Sequence, residues 1–204
     1  LTAGARGRIE ALVTGTRWWM AIAVVCVALF GGAQEAHAGV AVEMGLSHLV
    51  KAASAIVVAT PVETRSEWVK EDGRERIVTW HRLSTERVVA GAMPTTGEAW
   101  VRTLGGRVGD IGQRVEGEAV LPRGKRMILF LVARPDGVTH VAGMGQGAWL
   151  VVRGKDGVER VQVQTGRGML VPNRLRESAK AVLAGRVLDD ALRAIEAVHA
   201  VRDR

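Results

Sequence analysis

Met127-Ile128-Leu129-Phe130-Leu131-Val132 has no polar member. Successive side chains of a strand point to opposite faces, so a strand apolar at every position is wetted on neither. That is tolerated at the centre of a barrel or beneath covering elements. Residues 126–133 are therefore expected to form the core strand, and the chain on either side supplies its neighbours. Glu71-Asp72-Gly73, Pro135-Asp136-Gly137 and Lys155-Asp156-Gly157 are hairpin signals, because Asp tolerates turn conformations and Gly accepts positive φ. They separate short apolar or alternating runs at 55–59, 76–89, 99–104, 138–142, 148–152 and 158–164. With the core strand this makes about seven strands, connected mostly as an antiparallel meander.

The runs differ in expected burial. Val161-Gln162-Val163-Gln164 alternates strictly, so one face is wet and the strand lies near an edge. In 76–89, Val78 and Trp80 fall on one parity and Leu83 on the other; a bulge near His81 and Arg82 would reconcile them and curve the strand. A short helix is expected around residues 46–53. Past Pro172, Leu188, Leu192, Ile195 and Val198 share one helical face, with Asp189 or Asp190 at the positive end of the helix dipole and Asp189 four residues before Arg193. A preceding helix is expected over 174–184, ended by Gly185.

Ahead of this lies the most apolar run, WWMAIAVVCVALF at 18–30. Its thirteen or so residues fall short of the roughly twenty that a spanning helix needs. Arg6, Arg8 and Arg17 precede it, Gly31 and Gly32 follow, and Ala36-His37-Ala38 carries small residues where a signal peptidase reads. The expectation is a signal peptide over 1–38 cleaved between Ala38 and Gly39, a β domain over 39–171 and a helical segment over 172–204. Cys26 leaves with the leader, so about 166 exported residues hold no disulfide, no thiol nucleophile and no cysteine metal site. Losing Arg6, Arg8, Arg17, Glu10 and Glu35 takes 28 basic and 21 acidic residues to 25 and 19, a net charge of about +6. The arginines are dispersed rather than clustered, a pattern of solvated surface that still favours anionic envelope polymers.

A helix, then Ala-Ser-Ala-Ile-Val-Val-Ala-Thr-Pro-Val, then a long second strand running into Glu86-Arg87-Val88-Val89-Ala90-Gly91, then Trp100-Val101-Arg102-Thr103, resembles the opening of oligonucleotide/oligosaccharide-binding (OB) barrels. It is most similar to the secreted branch that includes netrin-like domains and tissue inhibitors of metalloproteinases. The resemblance covers residues 46–152 and implies a small OB-like antiparallel β-barrel of six to seven strands in an exported protein. Those inhibitors act through an N-terminal cysteine that binds the protease metal. Here the expected terminus is Gly39-Val40-Ala41, so no inhibitory residue carries over.

Motifs of chemistry are sparse. Gly143-Met144-Gly145-Gln146-Gly147 is followed by a strand-like run, where a phosphate loop needs a helix, so it reads as a glycine-permitted turn. His48, His81, His140 and His199 lack metal-ligand spacing; His81 and His140, both in expected strands, would be the pair to bring together. No Gly-x-Ser-x-Gly elbow surrounds any serine, and Asp110, Glu116 and Glu118 are loop carboxylates that usually face water. No catalytic residue, metal or cofactor is therefore assigned. The 105–118 segment is long for a connection in a small β domain and presents Arg107, Asp110, Gln113 and Arg114 as a loop for a ligand or partner. Trp100 and Arg102 share a strand face and could form a stacking patch, although Trp in an alternating strand is more often core.

The expectation is a non-catalytic exported module, periplasmic or extracellular, that binds an exported protein or an envelope glycan; nucleic acid is not expected. The alternative is a secreted peptidase inhibitor or peptidase-associated domain. The leader generates the first prediction. Replacing Ala38 by Phe blocks cleavage and leaves the chain membrane-associated, whereas mass spectrometry of the exported wild type finds Gly39 at the N-terminus. A native terminus upstream of Trp18, recovered from membranes, would make the segment an anchor.

Overall fold

The computed structural model describes residues 40–71, 73–93, 99–164, 169–171 and 177–202. The expected leader and cleavage site, with Ala36, Ala38 and Gly39, the hairpin residue Asp72 and residues 174–176 of the expected helix lie outside them. The elements are β1 (Val40–Val42), α1 (Leu46–Ala52), β2 (Ala55–Glu71), β3 (Arg74–Gly91), β4 (Ala99–Leu104), β5 (Gly106–Val108), β6 (Ile111–Gln113), β7 (Met127–Ala133) and β8 (Thr139–Val141). After a 3-10 turn at Met144–Gly147 come β9 (Ala148–Arg153), β10 (Glu159–Val163), β11 (Met169–Val171), α2 (Ala179–Leu183) and α3 (Leu188–Arg202).

Seven strands form one mixed sheet in the order β10-β9-β7-β2-β3-β4-β8, and β8 also pairs with β7, so five of them close into a ring. The fold is mainly β, with a short N-terminal helix and C-terminal helices, as expected. Within this sheet one pairing departs from the antiparallel expectation: β8 runs parallel to β4, with Val101 opposite Thr139 and Arg102 opposite His140. A parallel neighbour needs a crossover rather than a hairpin. The chain from β4 to β8 supplies it by passing through β5, β6 and β7.

The core strand β7 is apolar on both faces for two separate reasons. Met127, Leu129 and Leu131 point into the ring and pack with Val57, Ala59, Leu83, Val101 and Val141. Ile128 and Phe130 point outward against Leu49 and Val50 of α1, Leu183 of α2 and Leu188, Leu192 and Ile195 of α3. Neighbouring β2 does the same, sending Val57 and Ala59 inward and Ile56 and Val58 toward the helices.

Curvature comes from register shifts between β2 and β3. Pro61 pairs with Leu83 and Glu63 with Arg82, leaving Val62 as the extra residue, with further shifts at Val89 and Glu86. The expected bulge thus lies on β2, opposite Arg82, while β3 itself stays in register with β4 from Val78 to Leu83. His81 and Leu83 consequently face inward, and Trp80 faces out.

The turn signals act through their side chains. Asp136 Oδ1 accepts from Val138 N at 2.9 Å and Asp156 Oδ1 from Val158 N at 3.1 Å. Of the expected 174–184 helix, the described part is helical only from Ala179, capped by Ser178 Oγ, which accepts from Ala181 N at 3.2 Å. In α3 the ion pair is Asp190 with Arg193, one residue off the expected Asp189 partner. The sequence reading did not include the parallel β1–β11 pair or the β5–β6 hairpin.

Phe130 has no exposed surface and lies where sheet and helices meet. Phe130→Ala is expected to cost about 3–5 kcal/mol, out of a total on the order of 5–15 kcal/mol for a domain of this size. Urea unfolding of the chain should show a lower midpoint, and an unchanged midpoint would mean the two layers are not packed as described.

Candidate functional site

The outward face of β2, β3, β4 and β8 gathers aromatic and charged side chains in register. Cross-strand partners share a face. One row runs Arg65–Trp80–Arg102–His140 and the next Glu63–Arg82–Trp100. Both tryptophans are half-buried, and Trp100 belongs to neither core cluster.

Each indole is held by a cation. The Arg65 guanidinium lies 4.9 Å from the centroid of Trp100, and that of Arg102 lies 5.9 Å from Trp80. Trp80 Nε1 also donates to Glu67 Oε1 at 2.6 Å. Arg102 donates to Glu71 Oε1 at 2.5 Å, and Arg76 lies 3.7 Å from the other oxygen of that carboxylate. Arg102 Nε and His140 Nε2 are buried without a hydrogen-bond partner. Burial, and then the charges of Arg102 and Arg134, lower the His140 pKa, while Asp136 and Glu71 oppose them.

Beside this face opens a cleft of about 280 Å³ lined by Trp80, Met93, Ala99, Trp100 and residues 136–139. Its walls come from β3, β4 and the loop that leads into β8, so it straddles the parallel seam. Among the described residues Asp136 is the one charged side chain of the lining.

The candidate residues read from the sequence separate into two places. Trp100 and Arg102 sit on the outward face. Gln113 instead anchors the β5–β6 hairpin, its Oε1 accepting from Ile77 N at 2.6 Å. The base of that hairpin packs on Thr79 and Ser66, whose side chains lie on the opposite face of β3 and β2 from Trp80. Arg107 and Asp110 are exposed near its tip, 3.9 Å apart, and Arg114 pairs with Glu116 at 3.1 Å. The sequence reading missed Arg65, Trp80 and the 136–139 rim. The repeated Trp-x-Arg spacing, Trp80 with Arg82 and Trp100 with Arg102, was the available signal.

The remaining chemistry candidates are engaged structurally. Glu118 is pushed above the usual carboxylate range by burial, while the amides of Ala119 and Leu104 hold it. The 143–147 segment leads into β9, a strand, and Gln146 hydrogen-bonds Met44 N and Val42 O. His81 and His140 lie on opposite faces and do not meet. Among the described residues no cluster of three or more His, Cys, Asp or Glu is placed to hold a metal ion.

His81, with Thr103, is a buried polar group behind the outward face. Its Nε2 lies 3.0 Å from Thr103 Oγ1, Nδ1 has no partner, and burial lowers its pKa from 6.5 to about 4. With the folded value below the unfolded one, the unfolded chain binds the extra proton between those limits. Stability is therefore full above pH 6.5 and declines as pH falls toward 4, by up to about 3 kcal/mol. His81→Gln should flatten that slope in urea titrations run across the interval, and an undiminished slope would place its origin elsewhere. No protein-family model matches this chain, and a search of the curated proteins finds no relative of it.

Proposed function

We propose that the chain is an exported, non-catalytic binding module built on an OB-like barrel, and that it holds an envelope glycan or an exported protein on the outward face of β3 and β4. The pairing order supports the barrel reading: β2, β3 and β4 in succession, β8 parallel to β4, and β7 returning to β2. OB barrels bind ligands on the face of their second and third strands and with the loops joining strands one to two and four to five. The counterparts here are β3 and β4, the tip after Glu71, and residues 134–138. The observation that carries the proposal is the cleft between Trp80, Trp100 and the 136–139 rim. Large apolar surfaces with polar atoms at their edge suit ligands that are themselves apolar on one side and polar on the other.

Trp100→Ala should weaken retention on immobilised envelope polysaccharide, or capture of an exported partner, at least tenfold. Its unfolding midpoint should stay close to wild type, because Trp100 lies outside both core clusters. A variant replacing Arg107 and Asp110 by glycine serves as comparison. Unchanged binding by Trp100→Ala, with loss in the hairpin variant, would move the site to the hairpin.

A further inference from the structure

We infer that the cleft beside Trp100 takes one uncharged pyranose ring, an inference that rests on the binding reading of this face. A volume of about 280 Å³ lies at the small end of ligand clefts, room for a single ring rather than several. Two indoles, Met93, Ala99 and Val138 give it apolar walls, and Asp136 gives it a polar edge. A pyranose has the matching anatomy, with C–H groups on its faces and hydroxyls around its edge.

Charge excludes the other ligands that tryptophan clefts accept. One face of each indole already meets a guanidinium, that of Arg65 or of Arg102, and these charges oppose a quaternary ammonium. An acidic sugar or a phosphate would meet the Asp136 carboxylate at the rim, where no cation joins the lining among the described residues, Arg65 and Arg102 lying against the indoles outside it. A carboxylate is an acceptor with several lone-pair sites; one oxygen of Asp136 takes Val138 N, and the group retains capacity for sugar hydroxyls.

The test follows the indole N–H signals of the ¹⁵N-labelled mature chain during titration with sugars. The probes are glucose, galactose, mannose, N-acetylglucosamine and their linear tetramers, against tetragalacturonate and choline. At least one neutral sugar should shift the Trp80 and Trp100 signals saturably. Asp136→Asn, which retains the turn-forming side-chain oxygen, should weaken that binding at least fivefold. Equal affinity for monomer and tetramer identifies a free sugar or a chain end, and binding of the tetramer alone identifies an internal unit. Shifts with tetragalacturonate or choline, or none with any neutral sugar, overturn the inference. If Trp100→Ala still abolishes capture of an exported partner in that case, the binding face stands and only the sugar assignment falls.

Discussion

The second edge of β7 is divided between two strands, and the arrangement of the other elements depends on that division. Met127 to Leu129 pair with β9, and Leu131 to Ala133 pair with β8. The first partner starts the outer sheet that the helices cover; the second closes the ring. The chain must therefore leave β8 and re-enter the same edge of β7 as β9 within a few residues. Residues 143–147 do this with left-handed backbone at Gly143 and Met144, and a Cβ at Gly147 would run into the Ala142 carbonyl oxygen. The glycines that resemble a phosphate loop in sequence are there for this change of partner.

Where the ladder runs out, side chains take its place. Gln146 offers both amide atoms to β1 and the residues after it, through Val42 O and Met44 N. Gln164 does the same for both backbone groups of Val120, Gln113 accepts from Ile77 N, and Glu118 accepts from the Leu104 amide. An unpaired backbone group shut away from water costs about as much as a lost hydrogen bond. These primary-amide and carboxylate groups act as short substitutes for a strand. They also hold the 116–121 crossing in place, so that Ala119 and Leu121 join the ring's interior cluster.

What was legible in the sequence follows from the range of each interaction. The positions of most strands, the Asp-Gly turns and the double burial of β7 depend on local pattern, and 127–133 could be read from six apolar residues alone; the run expected at 55–59, by contrast, continues as β2 through polar residues to Glu71. The parallel return of β8 and the β1–β11 pair depend on which distant segments meet, and no period within either segment encodes that. Trp100 was left between the core and a stacking patch because its parity was known but the sign of the face was not. That sign is set by Val101 and Leu83 pointing into the ring, which in turn depends on Val62 being the bulged residue. The Gln113 side chain looks like a loop's ligand contact in sequence and is an anchor in the fold, a difference that only the proximity of Ile77 N reveals.

The ring is not equally apolar around its circumference. β2 and β7 fill their side of the interior with Val57, Ala59, Met127, Leu129 and Leu131, whereas β3 and β4 add Leu83 and Val101 to the cluster and place His81, Thr79 and Thr103 between them. Apolar burial stabilises a domain in rough proportion to its area, while a buried hydrogen bond adds little net. The β3–β4 half is therefore the softer one, and its closure onto β8 rests on two residue pairs. The cleft lies across that seam, with Trp80 and Trp100 on one side and residues 136–139 on the other. A ligand touching both walls binds only the closed ring, and linkage makes its binding free energy a contribution to closure. Arg65 and Glu67, by fixing the two indoles, reduce the ordering that such a ligand would otherwise have to impose.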